Sequence, residues 1–131
     1  MGLGAMRLTG DAPRERAIAV LRRAVIAPVV CVQNRFALGA PAGERELLRA
    51  CGELGIAYAP FFAITSAGDS TAVDAIARAH GATPAQVRLA WTLQLGRHVL
   101  AIPGTGNPAH LDDNVAAAAL TLSPAEMSLL G

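Results

Sequence analysis

Apolar residues in this chain fall into two alternating kinds of run. Val29 to Phe36, Ile56 to Phe62 and His98 to Ile102 are short, nearly continuous stretches, the pattern of strands buried in a parallel sheet. Between them apolar residues recur every three or four positions, which predicts helices. Pro13 to Val25 turns Ala17, Val20, Leu21 and Ala24 to one side, Gly43 to Glu53 does so with Leu47, Leu48 and Cys51, and Thr71 to His80 with Val73, Ile76 and Ala77. Gly81 stops the last of these, and Thr83-Pro84-Ala85-Gln86 is a capping box with proline at the first helical position. It opens a helix through Val87, Leu89, Ala90 and Trp91. Pro103 to Pro108 reads as a glycine-rich turn, Ala109 to Ala119 as a helix, and Ser123-Pro124-Ala125-Glu126 as a second capping box before a short final helix. With the glycine-flanked segment Gly2 to Gly10 as an opening strand, the chain reads as four strand-helix units. Such alternation predicts an α/β fold with a parallel sheet and right-handed crossovers, either a portion of a barrel or an open sheet.

At 131 residues the chain is expected to form one domain over residues 1–131. Hydrophobic residues make up 53% and charged residues 16%, which argues against disorder and leaves apolar surface to be covered by self-association. The net charge of +1 and the absence of any basic cluster denser than Arg22-Arg23 exclude a nucleic-acid footprint. No apolar run is long enough to cross a membrane and the first ten residues lack a signal-peptide core, so the expected location is cytoplasmic. Cys31 and Cys51 form no metal-ligand spacing and are expected to be small core residues rather than a disulfide. All eleven basic residues are arginine, and there is no lysine.

Four segments carry a resemblance to a known family: VQNRF at Val32 to Phe36, GIAYAPFF at Gly55 to Phe62, HGATPAQVRLAW from His80, and IPGTGNPAHLDDN from Ile102. Together they resemble the last three strand-helix units of the aldo/keto reductases. GLGAMRLTG at Gly2 to Gly10, followed by RERAIAVLRRA, is similar to that family's first strand and helix. Between Ala24 and Ile26 the family pattern passes from the end of its first helix to the approach to its sixth strand, so strands two to five are missing. The resemblance implies four strand-helix units forming half of a (β/α)8-type barrel, with two copies pairing edges to complete eight strands as a homodimer.

The missing strands are those that deliver the family's Asp, Tyr, Lys and His tetrad, in which tyrosine protonates the carbonyl oxygen. The resemblance therefore implies that ordinary carbonyl reduction is lost. What it retains is the NADP(H) end. Gly104 and Thr105 would cradle the adenosine 2′-phosphate at a helix N-terminus, and Asp113 with Asn114 would reach adenine. His110 stands where arginine is common and cannot form a bidentate fork, so binding would be weaker and pH-dependent. Gln33 matches the glutamine that bonds the nicotinamide carboxamide, and Phe61 falls where an aromatic ring stacks on it.

Other polar residues keep a second reading open. Arg35 follows the strand of Gln33 and suits an anionic ligand at a barrel mouth. With Tyr58, Asp69 or His110 it would serve a cofactor-independent isomerase, cyclase or dehydratase acting on a small apolar metabolite. Asp74 is a further acid-base candidate, whereas His80 and His98 are expected to be solvated or capping. Trp91, Val87 and Leu95 form a helical stripe expected in the core. A third reading is an inactive interaction module. No metal site is expected.

Overall fold

The computed structural model of the protein describes residues 2–4, 14–26, 29–61, 63 and 70–131. Its elements are β1 (Gly2–Gly4), α1 (Arg14–Ile26), β2 (Cys31–Arg35), α2 (Ala42–Glu53), β3 (Ala57–Phe61), α3 (Ser70–His80), α4 (Pro84–Gln94), α5 (Pro108–Ala116) and α6 (Pro124–Leu130). Residues 5–10 of the expected first strand and Asp69 lie outside the described residues.

β1, β2 and β3 are parallel and neighbour one another in chain order. That sequential order suits an arc of a barrel, whereas a doubly wound sheet reverses order at a switch point. Gly2, Leu3 and Gly4 stand beside Cys31, Val32 and Gln33, and Cys31 to Arg35 stand beside Ala57 to Phe61 without slippage.

The expected fourth strand, His98 to Ile102, is reduced to one parallel bridge between Tyr58 and Val99. The Tyr58 N–H donates to the His98 carbonyl at 2.8 Å, and the Leu100 N–H donates to the Tyr58 carbonyl at 2.8 Å. The next rung would need the N–H of residue 60 to donate to the Leu100 carbonyl, and Pro60 of β3 has none, so the ladder ends there. The expected helix from Ala109 to Ala119 is likewise shorter, with α5 ending at Ala116 and a 3-10 turn over Ala117–Ala119.

The helices cover one face of this sheet. Val32, Phe36 and Tyr58 meet Leu47, Leu48 and Cys51 of α2, Val73, Ile76 and Ala77 of α3, and Val87, Ala90 and Trp91 of α4 in one buried cluster. The Trp91 ring stacks on Phe36 with centroids 6.0 Å apart, and Phe36 meets Tyr58 edge-on at 5.9 Å. Such ring pairs add to burial that contributes roughly 1.5–3 kcal/mol for each large apolar side chain. Two capping boxes start α4 and α6: the hydroxyls of Thr83 and Ser123 accept from the backbone N–H groups of Gln86 and Glu126, whose side chains accept in return. Gly81 closes α3 at φ +61°, a conformation that a residue with Cβ adopts only with strain. No helix among the described residues is long and apolar enough to cross a membrane.

His98 departs from its expected solvated or capping role. A Cβ built on Gly52 falls 2.7 Å from its Cε1, and one on Gly96 falls 2.6 Å from the same atom. The ring thus lies against two backbones that only glycine leaves bare. Its Nε2 lies 2.9 Å from the Leu48 carbonyl, a hydrogen bond in which the imidazole N–H donates. His80, expected in the same way, is exposed, and it also pairs with Glu126 at 2.8 Å, tying α3 to α6.

Candidate functional site

Alternation along β2 and β3 sorts the candidate residues onto two faces. Val32 and Asn34 are buried against the helices, while Gln33 and Arg35 are exposed on the opposite, open face. The parallel register sets Arg35 beside Phe61, and Gln33 between Gly4 and Ala59. Phe61 is half-buried and Ala59 buried. Val99, which bridges Tyr58, is buried, while Leu100 beside it and Ile102 beyond the ladder are 57% and 44% exposed. The open face therefore carries Gln33 and Arg35 with Phe61, and Leu100 extends its apolar flank. Leu100 was missed as a candidate, and its odd step from Val99 is the signal that would have found it.

The glycine turn follows directly on that apolar flank. Gly104, Thr105, His110 and Asp113 are exposed, Asn114 half-buried, and a Cβ on Gly104 or Gly106 would meet only open space. Asn107 caps α5, its Oδ1 accepting from the Ala109 N–H at 3.0 Å, and the Thr105 hydroxyl accepts from the Asn107 N–H at 3.0 Å. Pro108 at the first helical position has no N–H. Two of the donors at this helix start are therefore already engaged within the loop. The Asp113 carbonyl accepts from Gln86 Nε2 at 3.1 Å, which fastens α5 to the start of α4. The capping role of Asn107 was legible in its place before Pro108 but was not singled out.

Tyr58 is not brought to the open face. It is wholly buried on the helix side, where loss of water pushes its phenol pKa up, an effect that Asn34 partly offsets. The offset does not amount to an aligned bond: Tyr58 Oη and Asn34 Nδ2 both lack a hydrogen-bond partner among the described residues, as does Trp91 Nε1. Glu44, at the start of α2, is also raised by burial, with Arg35 acting in the opposite direction. Cys51 is a buried free thiol raised to about 12 by the same desolvation, whereas Cys31 is half-exposed at the edge of the open face. Asp74 lies half-buried on α3, away from the sheet's open side.

The described strands are parallel and in chain order, and a glycine turn leads from the Val99 bridge segment into α5. The aldo/keto reductase family model matches residues 67–130, and the chain belongs to the aldo/keto reductase family. It is 44% identical to pyridoxine 4-dehydrogenase of Escherichia coli (strain K12) over 108 residues, which are 80% of this chain but 37% of that protein. A crystal structure of an aldo-keto reductase from Klebsiella pneumoniae in complex with NADPH superposes with a TM-score of 0.71 at 26% identity, over 88% of this chain and 42% of that one. A thermostable aldo-keto reductase in complex with the inhibitor epalrestat gives a TM-score of 0.71 at 27% identity, over 93% of this chain and 55% of its own. The chain thus spans well under half the length of its curated bacterial relative.

Proposed function

We propose that this chain is an aldo/keto reductase-derived half-barrel that binds NADP(H) without carrying out the family's carbonyl reduction, and that two copies close one barrel. The observation that carries the first part is the Pro103 to Asn107 turn. It leaves the fourth-strand bridge, exposes the Thr105 hydroxyl and the His110 ring at the start of a nine-residue helix, and adjoins the sheet face that bears Gln33 and Phe61. A helix N-terminus with an exposed hydroxyl suits the 2′-phosphate, and Gln33 with Phe61 suits the nicotinamide. Gly104 leaves room for backbone approach, and Asp113 and Asn114 on the next turn of α5 would meet the adenine. When bound, the dinucleotide supplies a hydride donor. The groups that would steer a carbonyl toward it are not in this chain.

That loss is supported by the composition and by Tyr58. The chain has no lysine, and its single tyrosine is sealed on the helix side with its pKa raised, so it is placed to donate a proton to nothing on the open face. Closure by a second copy is supported by the two free edges, β1 on one side and the Val99 segment on the other, and by exposed Val30, Leu100 and Ile102. Two arcs, each of three strands and the Val99 bridge segment, would make up the eight strand positions of such a barrel.

Calorimetric titration with NADPH and NADH at about pH 6 and about pH 8, with the mass read by light scattering on the same sample, tests both parts. NADPH is expected to bind more tightly than NADH through its 2′-phosphate, and Thr105→Ala with His110→Ala is expected to abolish that preference. Unchanged NADPH binding in the double variant overturns the dinucleotide reading. A mass of 13.4 kDa rather than twice that at micromolar protein overturns closure.

A further inference from the structure

Arg35 stands apart from the other charged groups of the sheet. It is exposed at the C-terminal end of β2, the end at which barrel folds assemble their ligand sites. No ion pair or hydrogen bond engages its guanidinium among the described residues. Glu44 is the acid set near it, close enough for each to feel the other's field but not within ion-pair distance. Three arginines of the helices are engaged, whereas Arg35 is the one charged residue within the described strands. Arg45 donates to the carbonyls of Ala40 and Gly131, Arg49 pairs with Glu46 and Glu53, and Arg88 donates to the Pro84 carbonyl.

The surroundings of Arg35 are specific. Its cross-strand neighbour on the same face is the Phe61 ring. Exposed Leu100 extends that apolar surface away from Arg35, and Gln33, two residues back, adds an amide. A planar cationic fork beside an aromatic ring and a branched aliphatic side chain matches a ligand with a carboxylate at one end and a flat apolar body at the other.

We infer that the open face binds a small aryl carboxylate, its carboxylate on the Arg35 guanidinium and its ring against Phe61 and Leu100. This goes beyond the dinucleotide reading: it shares Gln33 and Phe61 with the nicotinamide end of that reading, so the two ligands would compete there, but it uses neither the Thr105 turn nor His110. The carboxylate oxygens accept two N–H groups from the guanidinium, and the Gln33 amide lies within the same face, where its oxygen can meet the ring's C–H edge or its N–H can donate to a substituent. Neutral analogues of the same shape keep only the apolar contact, so the site separates charged from uncharged ligands rather than large from small.

The test is a titration of the full chain with benzoate and with benzamide, followed by NMR, on the parent and on Arg35→Gln and Arg35→Lys. Benzoate is expected to saturate, benzamide to bind about tenfold more weakly or worse, and Arg35→Gln to weaken benzoate by about tenfold while leaving benzamide unchanged. Arg35→Lys should fall between, since a lysine keeps the charge and loses the fork. An unchanged unfolding midpoint in Arg35→Gln, an exposed position, verifies that the variant is folded. Absence of saturable benzoate binding, equal binding of benzamide, or benzoate affinity in Arg35→Gln within about twofold of the parent overturns the inference. Loss of NADPH binding in the Thr105/His110 double variant with benzoate binding intact separates this site from the dinucleotide site. A parent chain that takes benzoate but not NADPH retains this inference and removes the other.

Discussion

Val32, Asn34 and Phe36 are each exposed by 1% or less, whereas Gln33 and Arg35, interleaved with them, are exposed. The same two strands thus present one face that the chain finishes by itself, with three helices and a ring stack, and one that it leaves for something else. The contrast shows that local fold and function draw on separate residues here. Substitutions on the helix side should be felt as stability, and substitutions on the open side as binding.

The largest expected effect lies on the finished face. Trp91→Ala removes the ring stacked on Phe36 and is expected to cost about 3–5 kcal/mol in chemical unfolding, against within about 0.5 kcal/mol for Arg35→Gln on the open face. Comparable costs for the two would erase the contrast. If Trp91→Ala does not fold, Trp91→Phe gives a smaller loss of the same sign.

A middling effect sharpens the comparison at its edge. Gly52 sits inside α2, where alanine would ordinarily stabilise by about 0.5–1 kcal/mol. With the His98 ring 2.7 Å from the position of the new Cβ, Gly52→Ala is expected instead to destabilise by about 1–3 kcal/mol. The sign should revert in a His98→Ala background. A Gly52→Ala protein more stable than the parent would show that the ring moves aside without loss.

The smallest effect is electrostatic. The Ser123 backbone N–H, then its hydroxyl and His80, hold the Glu126 carboxyl down to about 2 from an ordinary 4.5. A depressed carboxylate stabilises the fold fully above its ordinary range, and that stabilisation is lost as pH falls from there through about 2. Urea midpoints taken between about pH 6 and about pH 2 should therefore fall less steeply in Glu126→Gln than in the parent. Parallel curves would mean that the α3–α6 tie is not coupled to folding. Because α6 packs on the finished side, Gln33 or Arg35 variants should leave this slope unchanged.

Much of the finished face was legible in the residues. The Val87, Trp91 and Leu95 stripe, the two capping boxes at Thr83 and Ser123, and Gly81 as a helix stop are local patterns whose physics is contained within a few residues, and they fall where the spacing predicts. His98 was not legible, because its place depends on Gly52 and Gly96 being brought to one point from separate elements. The fourth strand was overcalled for a similar reason. Apolar residues from His98 to Ile102 satisfy a strand pattern, but ladder length depends on neighbours, and Pro60 in β3 has no N–H for the next rung. On the open face, Tyr58 and Arg35 read alike as polar candidates. Parity along their strands separates them, since Tyr58 differs by an odd step from Phe61 and so faces the other way.

Asn107 gives the glycine turn an occupant of its own. Its side-chain oxygen already sits on the Ala109 N–H, and the Thr105 hydroxyl already receives the Asn107 N–H. An arriving anion would therefore enter as a rival to an internal ligand rather than fill an empty cradle. Any affinity for an anion at this turn would report the difference between two acceptors, because the donors there are already committed to the chain's own helix.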